Sequence, residues 1–402
     1  MRILLVARLP KPVGGAEVFA EGLAARLSDL GVEVAVVTHR TLRSRSLHGA
    51  GDRIFRYRAK DHAGLLDRGV RIHPVLHYER TARGVTVNGV NPGRSASEQL
   101  RAVLGQERPD LLHSHWHSIL PEVTEAAGAV GVPCVHTIHG MVSLTRATRP
   151  ELGTDQALRL IRQRMHAIVV SRDVLAHCRR HGLRRVFLVH PGVDDRFFRP
   201  APGRARRDFL YVGRAERYKG AREVCEGFLD AARRLDGRLW LAGRGMTRDG
   251  YAAHGCFLPP GRRAALERLI EERRVRFLGE LPAHRLRVRY QRARALLLPS
   301  VTEGFPLAIL EALSCGTPVI ASDVGSVADV VESGRNGVLI PQGDSGALAR
   351  ALLALPSLEG PRISARCRAS VRAFSLDRAV ARHLEVYRKV LAAATAPRRR
   401  AC

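Results

Sequence analysis

Short apolar runs alternate with helix-length segments along almost the whole chain of 402 residues. Runs of this kind are typical of strands in parallel sheets, which are buried on both faces and connected by helices. After the first run, Phe19, Leu23 and Leu27 recur at the spacing of an amphipathic helix. The pattern predicts an α/β fold of two doubly wound, Rossmann-like domains that face each other across a cleft. The predicted strands are 3–6, 32–37, 111–112, 135–138, 167–170, 186–189, 209–212, 239–242, 275–278, 295–298, 319–321 and 338–340.

A segment rich in proline, glycine and arginine, 199–207, lies near the middle of the chain. It predicts an N-terminal domain over 1–198 and a C-terminal domain over 199–375. A last helix, 376–396, has no strand after it and is expected to cross back to the N-terminal domain. Residues 397–402 are expected to form a disordered tail. Because ligands bind at the carboxyl ends of strands in such sheets, site residues should lie in the loops that follow strands.

The formal charge of +28 is the most unusual feature of the composition. Only four of the 66 basic residues are lysines, so Arg-rich codon usage explains the charge better than nucleic-acid binding does. Aromatic residues make up 5% of the chain, which leaves no visible platform for stacking bases. An anionic substrate or an anionic membrane surface fits the charge better. The basic segment from Arg40 to Lys60 is a candidate for such contact, and biased surface composition is the alternative.

The apolar run at the N-terminus is too short for a signal peptide, and no apolar stretch is long enough to span a membrane. The seven cysteines are scattered and form no CxxC pair, which argues against disulfides and zinc. We therefore expect a cytoplasmic protein, with peripheral contact at the inner face of the membrane left open. His113, His115 and His117 alternate and would share one face of a strand, but we predict no metal.

Two loops that follow predicted strands carry residues suited to phosphate. Gly14 and Gly15 separate the first strand from its helix, where backbone N–H groups and a partial positive charge favour an anion. A plain structural turn explains the two glycines equally well. In the second domain, Arg214 and Lys219 follow the first strand, and both side chains are suited to phosphate oxygens.

The segment 299–318 is the most informative, because it contains two glutamates eight positions apart. Glu303 lies in a loop after a strand, and Pro306 suits the first turn of the helix that follows. Backbone N–H groups near the start of this helix can bind a diphosphate. Glu311 would lie about 7.5 Å further along the helix axis, where it can accept both hydroxyls of a ribose. An ordinary helix with one surface glutamate is the alternative.

These motifs together resemble the retaining glycosyltransferases of family 4 (glycosyl transferases group 1), which have the GT-B fold and the E-x7-E signature. The resemblance runs across nearly all of the chain. It departs from the family pattern at 243–261, which resembles an insertion or a reshaped loop, and at Pro306, which replaces a frequent glycine. The matching stretches are Gly14-Gly15, 110–115, 136–140, 189–194, 212–220, 241–245 and 298–339.

The resemblance implies a role for each candidate residue. Glu311 would hold the ribose and Glu303 the donor sugar. Arg214 and Lys219 would neutralise the diphosphate, and His139 would lie beside the transferred sugar. No protein nucleophile would be required, because a phosphate oxygen of the donor can act as base. No metal or other cofactor would be required, because the two cations and the helix start would replace the metal ion. The remaining donor-binding residues would be Gly14, Gly15, Gly304, Phe305, Pro306 and Leu307.

The resulting hypothesis is a retaining transferase that moves a hexosyl group from a nucleotide-diphosphate sugar to a hydroxyl. The acceptor would be a glycan, a lipid-linked molecule or a small molecule, recognised mainly by the N-terminal domain. A sugar-nucleotide 2-epimerase of similar fold is one alternative. A non-catalytic basic protein that binds nucleotides or RNA is another.

Overall fold

The computed structural model describes residues 1–7, 14–42, 63–78, 95–115, 117–140, 154–201, 206–254, 256, 258–355 and 362–395. The chain divides into two compact units, Met1–His190 together with the residues from Ala379 onward, and Pro191–Arg378. This division falls before the segment 199–207, and the domain limits expected from the sequence stay predictions. Most of the basic segment Arg40–Lys60 and the whole of the predicted tail lie outside the described residues.

The first unit is built on a parallel sheet with the strand order β3-β2-β1-β4-β5-β6-β7. The order reverses between β1 and β4, so the connections on the two sides of this point run in opposite directions along the sheet. Ligands of doubly wound sheets bind at such a point. The strands are β1 (Arg2–Ala7), β2 (Glu33–Leu42), β3 (Arg71–Tyr78), β4 (Leu111–Ser114), β5 (Cys134–Ile138), β6 (His166–Val169) and β7 (Val186–Leu188).

Helices cover this sheet, and their apolar spacing explains which side they bury. Helix α1 buries Phe19, Leu23 and Leu27, as the sequence predicts. Ser95 begins α3 with a capping box, because its side chain and that of Glu98 each accept from the other's backbone N–H. The helices of the first unit up to His190 are α1 (Gly15–Asp29), α2 (Ala63–Leu66), α3 (Ala96–Glu107), α4 (Leu120–Val130), α5 (Thr154–Arg164) and α6 (Arg172–Arg180).

The second unit contains a parallel sheet with the order β10-β9-β8-β11-β12-β13, which reverses between β8 and β11. Its strands are β8 (Asp208–Val212), β9 (Leu239–Ala242), β10 (Val275–Gly279), β11 (Ala293–Leu298), β12 (Val319–Ser322) and β13 (Gly337–Ile340). Its helices are α7 (Ala221–Ala231), α8 (Arg248–Ala253), α9 (Pro260–Glu271), α10 (Ala283–Arg292), α11 (Leu307–Ser314), α12 (Ser345–Ala354) and α13 (Ile363–Val371).

The long helix α14 (Leu376–Thr395) begins in the second unit and continues into the first. At its start, Leu376 N–H donates to the carbonyl of Val193 over 2.8 Å. Further along, the buried side chains of His383 and Tyr387 pack against β4 and α1 within the first unit. The Tyr387 hydroxyl is hydrogen-bonded to His113 Nδ1 at 2.6 Å, and the His383 ring lies 5.4 Å from that of Phe19.

The two parallel sheets with their helices confirm the predicted fold class of two doubly wound α/β units. Each of the twelve predicted strands overlaps an observed strand. The sequence analysis did not predict β3, which among the described strands pairs only with β2 and forms an edge of the sheet. No helix among the described residues is both long and apolar enough to cross a membrane.

Candidate active site

The loop that follows β8 carries Arg214 and Lys219 and is hydrogen-bonded to the end of β8. The buried Tyr211 hydroxyl lies within hydrogen-bond distance of the carbonyls of Lys219 (3.1 Å) and Arg214 (3.3 Å). Gly220 ends the loop with φ +75°, and a Cβ there would lie only 2.0 Å from the Pro299 carbonyl oxygen. Only glycine permits this approach. The loop after β8 is therefore pressed against the loop after β11.

This close approach brings Lys219 into contact with Glu303. The Lys219 Nζ lies 2.8 and 2.9 Å from the two carboxylate oxygens of Glu303. The buried Ser300 hydroxyl donates to Glu303 Oε1 over 2.7 Å. The Glu303 side chain is 7% exposed and that of Lys219 is 19% exposed. Two residues that the sequence analysis assigned to different parts of a donor thus form one nearly buried ion pair.

Arg214 lies on the same loop and has partners of its own. Its Nη1 is 3.0 Å from Glu216 Oε1, and its Nη2 donates to the Tyr218 hydroxyl. About a third of the side chain (34%) remains exposed, so the guanidinium stays accessible to an anionic ligand. The Tyr218 ring lies beside both cations, at 6.0 Å from Arg214 and 5.3 Å from Lys219.

The loop that carries Glu303 is also held from its other side, by the segment after β12. Gly325 has φ +58°, and a Cβ there would lie 2.1 Å from the carbonyl oxygen of Glu303. Next to it, the Ser326 hydroxyl donates to the Gly304 carbonyl over 2.6 Å. These contacts fix the backbone of Glu303 and Gly304 between two neighbouring loops.

Helix α11 begins directly after this loop and carries the second glutamate. Leu307 is its first residue, and Pro306 is the capping residue before it. The expectation that Pro306 lies inside the first turn is therefore wrong by one position, because its ψ of 99° is extended rather than helical. Phe305 is buried, with its ring 5.4 Å from that of Phe374. The first turn of a helix leaves backbone N–H groups without intrahelical acceptors, as an anion requires.

Glu311 lies further along α11 and is hydrogen-bonded to a residue that the sequence analysis missed. The hydroxyl of the buried Tyr290, on α10, donates to Glu311 Oε2 over 2.7 Å. Burial raises the pKa of Glu311 to about 7, and the Tyr290 hydrogen bond opposes this rise by stabilising the carboxylate. Glu311 therefore titrates close to neutral pH.

In the first unit, the two glycines after β1 form the start of α1. Gly14 caps the helix in an extended conformation and Gly15 is its first residue. A Cβ at Gly14 would lie 3.2 Å from a carboxylate oxygen of the buried Glu17. This geometry suits both the structural turn and the ligand loop that the sequence allowed.

His139 follows β5 and belongs to a group of histidines, here called the histidine cluster. His139 Nε2 is hydrogen-bonded to His115 Nδ1 at 3.1 Å, and His136 Nε2 to His117 Nδ1 at 2.8 Å. Burial lowers the pKa of every member, that of His139 to about 3 and that of His117 to about 4. All of them are therefore neutral at pH 7. The members are His113, His115, His117, His136, His139 and His383.

The alternating histidines 113, 115 and 117 are hydrogen-bonded to other histidines and to neighbouring hydroxyls. His113 Nε2 is 2.7 Å from the Thr137 hydroxyl, and its Nδ1 contacts Tyr387. Within the described residues, no group of three or more His, Cys, Asp or Glu side chains is arranged to hold a metal ion.

Comparison with known proteins assigns the family. Residues 13–197 match the profile of Glycosyltransferase Family 4, and residues 206–357 match that of Glycosyl transferases group 1. The chain is 30% identical to D-inositol 3-phosphate glycosyltransferase of Thermobispora bispora, over 94% of this chain and 90% of the relative. The protein of the same name from Mycobacterium avium is 31% identical over 72% of each chain. The chain belongs to glycosyltransferase family 4.

Solved structures share the fold of this family 4 glycosyltransferase. Sucrose-phosphate synthase of Thermosynechococcus elongatus superposes with a TM-score of 0.71 at 21% identity, covering 98% of this chain and all of that one. HepE of Anabaena, in complex with UDP and glucose, superposes with a TM-score of 0.72 at 18% identity, covering 97% of this chain and 100% of that one. These neighbours confirm the GT-B architecture.

Within the second unit of this glycosyltransferase, the structure brings together several of the residues that the sequence proposed. Lys219, Arg214 and Glu303 follow β8 and β11, the two strands at which the sheet order reverses. The stretch 243–261 contains the short helix α8. It begins at Gly243, whose φ of +133° would place a Cβ 2.0 Å from the Gly213 carbonyl oxygen. The loop after β9 thus packs on the loop after β8.

Proposed function

We propose that this glycosyltransferase takes a hexosyl group from a nucleotide-diphosphate sugar and transfers it with retention to an acceptor hydroxyl. The observation that carries the proposal is the contact of Lys219 with Glu303 at the reversal point of the second sheet, followed by Glu311 on α11. Lys219 and the start of α11 suit the diphosphate of a donor molecule. Glu303 suits its sugar, and Glu311 suits its ribose.

Each residue takes a distinct part in the proposed reaction. Lys219 and Arg214 neutralise the charge that develops on the leaving diphosphate, the task that a metal ion performs in other transferases. Glu303 accepts hydrogen bonds from hydroxyls of the sugar, and Glu311 from those of the ribose. His139, neutral at pH 7, offers a ring nitrogen to the transferred sugar without adding charge.

The proposed chemistry needs no protein nucleophile and no resident cofactor. The acceptor oxygen forms a bond to the anomeric carbon on the face from which the diphosphate departs. The bond from that carbon to the diphosphate oxygen breaks, and the acceptor proton passes to the departing phosphate oxygen. The configuration is thereby retained, and the protein contributes orientation and electrostatic stabilisation.

The names of the relatives guide the choice of substrates to test. Relatives are named D-inositol 3-phosphate glycosyltransferase, and HepE is described with UDP and glucose. We therefore propose UDP-hexoses as the first donors to test. A small phosphorylated cyclitol is the first acceptor, followed by glycans and lipid-linked acceptors.

The proposal is tested by ligand screening followed by turnover. A thermal-shift screen of UDP-, GDP- and ADP-sugars should identify the donor, because a bound ligand raises the melting temperature. Release of the nucleoside diphosphate is then measured with and without inositol 3-phosphate and glycan acceptors. Glu303→Gln and Glu311→Gln should each lower turnover at least about a hundredfold. The exposed Glu332→Gln serves as the matched control, since its carboxylate lies outside this site.

Two results would contradict the proposal. Turnover at the wild-type rate in a Glu303→Ala, Glu311→Ala double variant would refute the site. Conversion of the donor sugar to its 2-epimer without an acceptor, detected by NMR, would favour the epimerase instead.

A further inference from the structure

Tyr290 is a buried residue next to the proposed ribose site for which the mechanism above has no role. Its side chain is fully buried, and its hydroxyl donates to Glu311 Oε2 over 2.7 Å. It lies on α10, whereas Glu311 lies on α11, so the contact joins two helices. Among the described residues, Glu311 Oε1 has no such partner. The two oxygens of this carboxylate are therefore unequal.

Several segments fix the position of Tyr290. Its carbonyl accepts a hydrogen bond of 2.6 Å from the Thr317 hydroxyl, just before β12. The same Thr317 oxygen accepts from Arg206 Nη1 over 2.8 Å. The rings of Tyr290 and Phe198 also pack in a T-shaped arrangement, with ring centroids 6.0 Å apart. A phenol held this firmly is a rigid hydrogen-bond donor.

We propose that Tyr290 is a positioning residue for nucleotide binding: its hydroxyl occupies Glu311 Oε2 and keeps the carboxylate ionised, leaving Oε1 to accept the ribose hydroxyls. The inference rests on the proposed function of Glu311. A carboxylate that rotates freely, or that carries a proton, is a poorer acceptor for two hydroxyls. The hydrogen bond from Tyr290 to Oε2 restricts the rotation of the Glu311 carboxylate and favours its ionised form.

The charges around this pair determine how binding should depend on pH. Burial raises the pKa of Glu311 to about 7, and the Tyr290 hydrogen bond lowers it. The pKa of Tyr290 lies well above its usual value because of burial, so the hydroxyl keeps its proton. Cys315, the residue directly after α11, has a pKa that burial raises to about 12, and the cations near this thiol are the arginines 206, 287 and 368. Glu311 is therefore the group of this set that titrates between pH 6.5 and 8.5.

The test is the affinity of a Tyr290→Phe variant for UDP, GDP and ADP, measured by calorimetry at several pH values. Losing a hydrogen bond to the carboxylate should raise the pKa of Glu311 by about 1.5 units. Since only the ionised form binds ribose, the variant should bind about 25-fold more weakly than the wild type at pH 6.5 and only about 2-fold more weakly at pH 8.5. Ionisation of the nucleotide itself cancels in this ratio.

Two control variants separate positioning from a general loss of structure. Tyr387→Phe removes a different buried hydroxyl, in the first unit, and should leave the affinity and its pH dependence as in the wild type. In a Glu311→Gln background, no carboxylate titrates at this position. The effect of Tyr290→Phe on affinity should there become independent of pH, which checks the inference even if the single variant folds poorly.

Each unfavourable outcome has a distinct meaning. The decisive quantity is the dissociation constant of Tyr290→Phe divided by that of the wild type. If this ratio stays constant from pH 6.5 to 8.5, the positioning role is overturned and the proposed function stays intact. If the wild type binds none of UDP, GDP and ADP, the proposed function fails, and this inference fails with it.

Discussion

Replacing Lys219 with methionine removes a cation but keeps nearly the whole length of the side chain. In the second unit, this leaves the Glu303 carboxylate, 7% exposed, with Ser300 as its remaining side-chain donor among the residues that the structure describes. Removing one member of a buried ion pair costs about 3–5 kcal/mol. Because the Lys219 side chain is 19% exposed, we expect the lower limit, about 3 kcal/mol of unfolding free energy.

The magnitude is checked by a double-variant cycle. Glu303→Gln leaves a more exposed ammonium group without its partner and should cost about 1–2 kcal/mol. The double variant buries no unpaired charge, and the amide oxygen introduced by Glu303→Gln can still accept from Ser300. It should therefore lie within about 1 kcal/mol of the wild type, which corresponds to a coupling energy of about 3–5 kcal/mol.

Urea unfolding of the second unit measures these free energies if one of the two tryptophans is removed. In a Trp116→Phe background, the fluorescence reports Trp240, which is buried in β9 with the Arg289 guanidinium 3.7 Å from its ring. Following one unit avoids fitting two units as a single transition. Additive effects, with a coupling energy below about 0.5 kcal/mol, would refute the reasoning. The double variant should still lack turnover, because restoring stability does not restore the cation for the diphosphate.

Three further predictions concern other parts of the molecule. Gly325→Ala should destabilise the second unit by at least about 2 kcal/mol and lower turnover, because the added Cβ would meet the Glu303 carbonyl. Gly334→Ala is the control, because Gly334 also has a positive φ (+81°) but open space around an added Cβ. This variant should show only the smaller cost of backbone strain. Comparison of urea midpoints and initial rates checks this, and equal effects of the two variants would contradict it. His139→Asn should lower kcat about a hundredfold with a smaller change in the KM of the donor, as steady-state kinetics would show, whereas an effect confined to KM would argue against a role in the transition state. Finally, the first unit should lose stability below pH 6.5, because the unfolded chain takes up protons that the histidine cluster in the folded state does not; each histidine contributes about 1.4 kcal/mol per pH unit between its unfolded and folded pKa values. Hydrogen exchange followed by mass spectrometry should show peptides of β4 and β5 losing protection between pH 7 and pH 5 more steeply than peptides of β8 and β9, and a parallel loss in both units would count against the cluster as the cause.

The sequence predicted the strands well where hydrophobicity alone determines them. Strand β3 was missed because its alternate residues are Arg71 and His73, which are not apolar. In the structure, both contact the buried Glu107 of α3, at 2.8 Å and 2.6 Å. A polar strand paired with a buried acid from a distant helix cannot be recognised from apolar periodicity.

The candidate site was predicted residue by residue, but its connections were not. The motifs identified Lys219, Glu303 and Glu311, because strand ends and helix starts are visible in the sequence. The contact of Lys219 with Glu303 depends on the two close approaches at Gly220 and Gly325, which only coordinates show. Tyr290 lies in α10, a helix rich in arginine, and the spacing of the residues in this helix does not indicate that Tyr290 faces Glu311.

Helix α14 has a consequence for how this protein is made. A nascent chain leaves the ribosome from its N-terminus, and domains generally begin to fold as soon as they emerge. The seven described strands of the first unit are complete once β7 has emerged, yet Tyr387, the partner of His113, is synthesised only after the entire second unit. Until then, the surface of β4 and α1 that α14 buries stays uncovered. The first unit is thus the first to emerge and the last to be finished, so a chain that stops short of α14 leaves its N-terminal half incomplete.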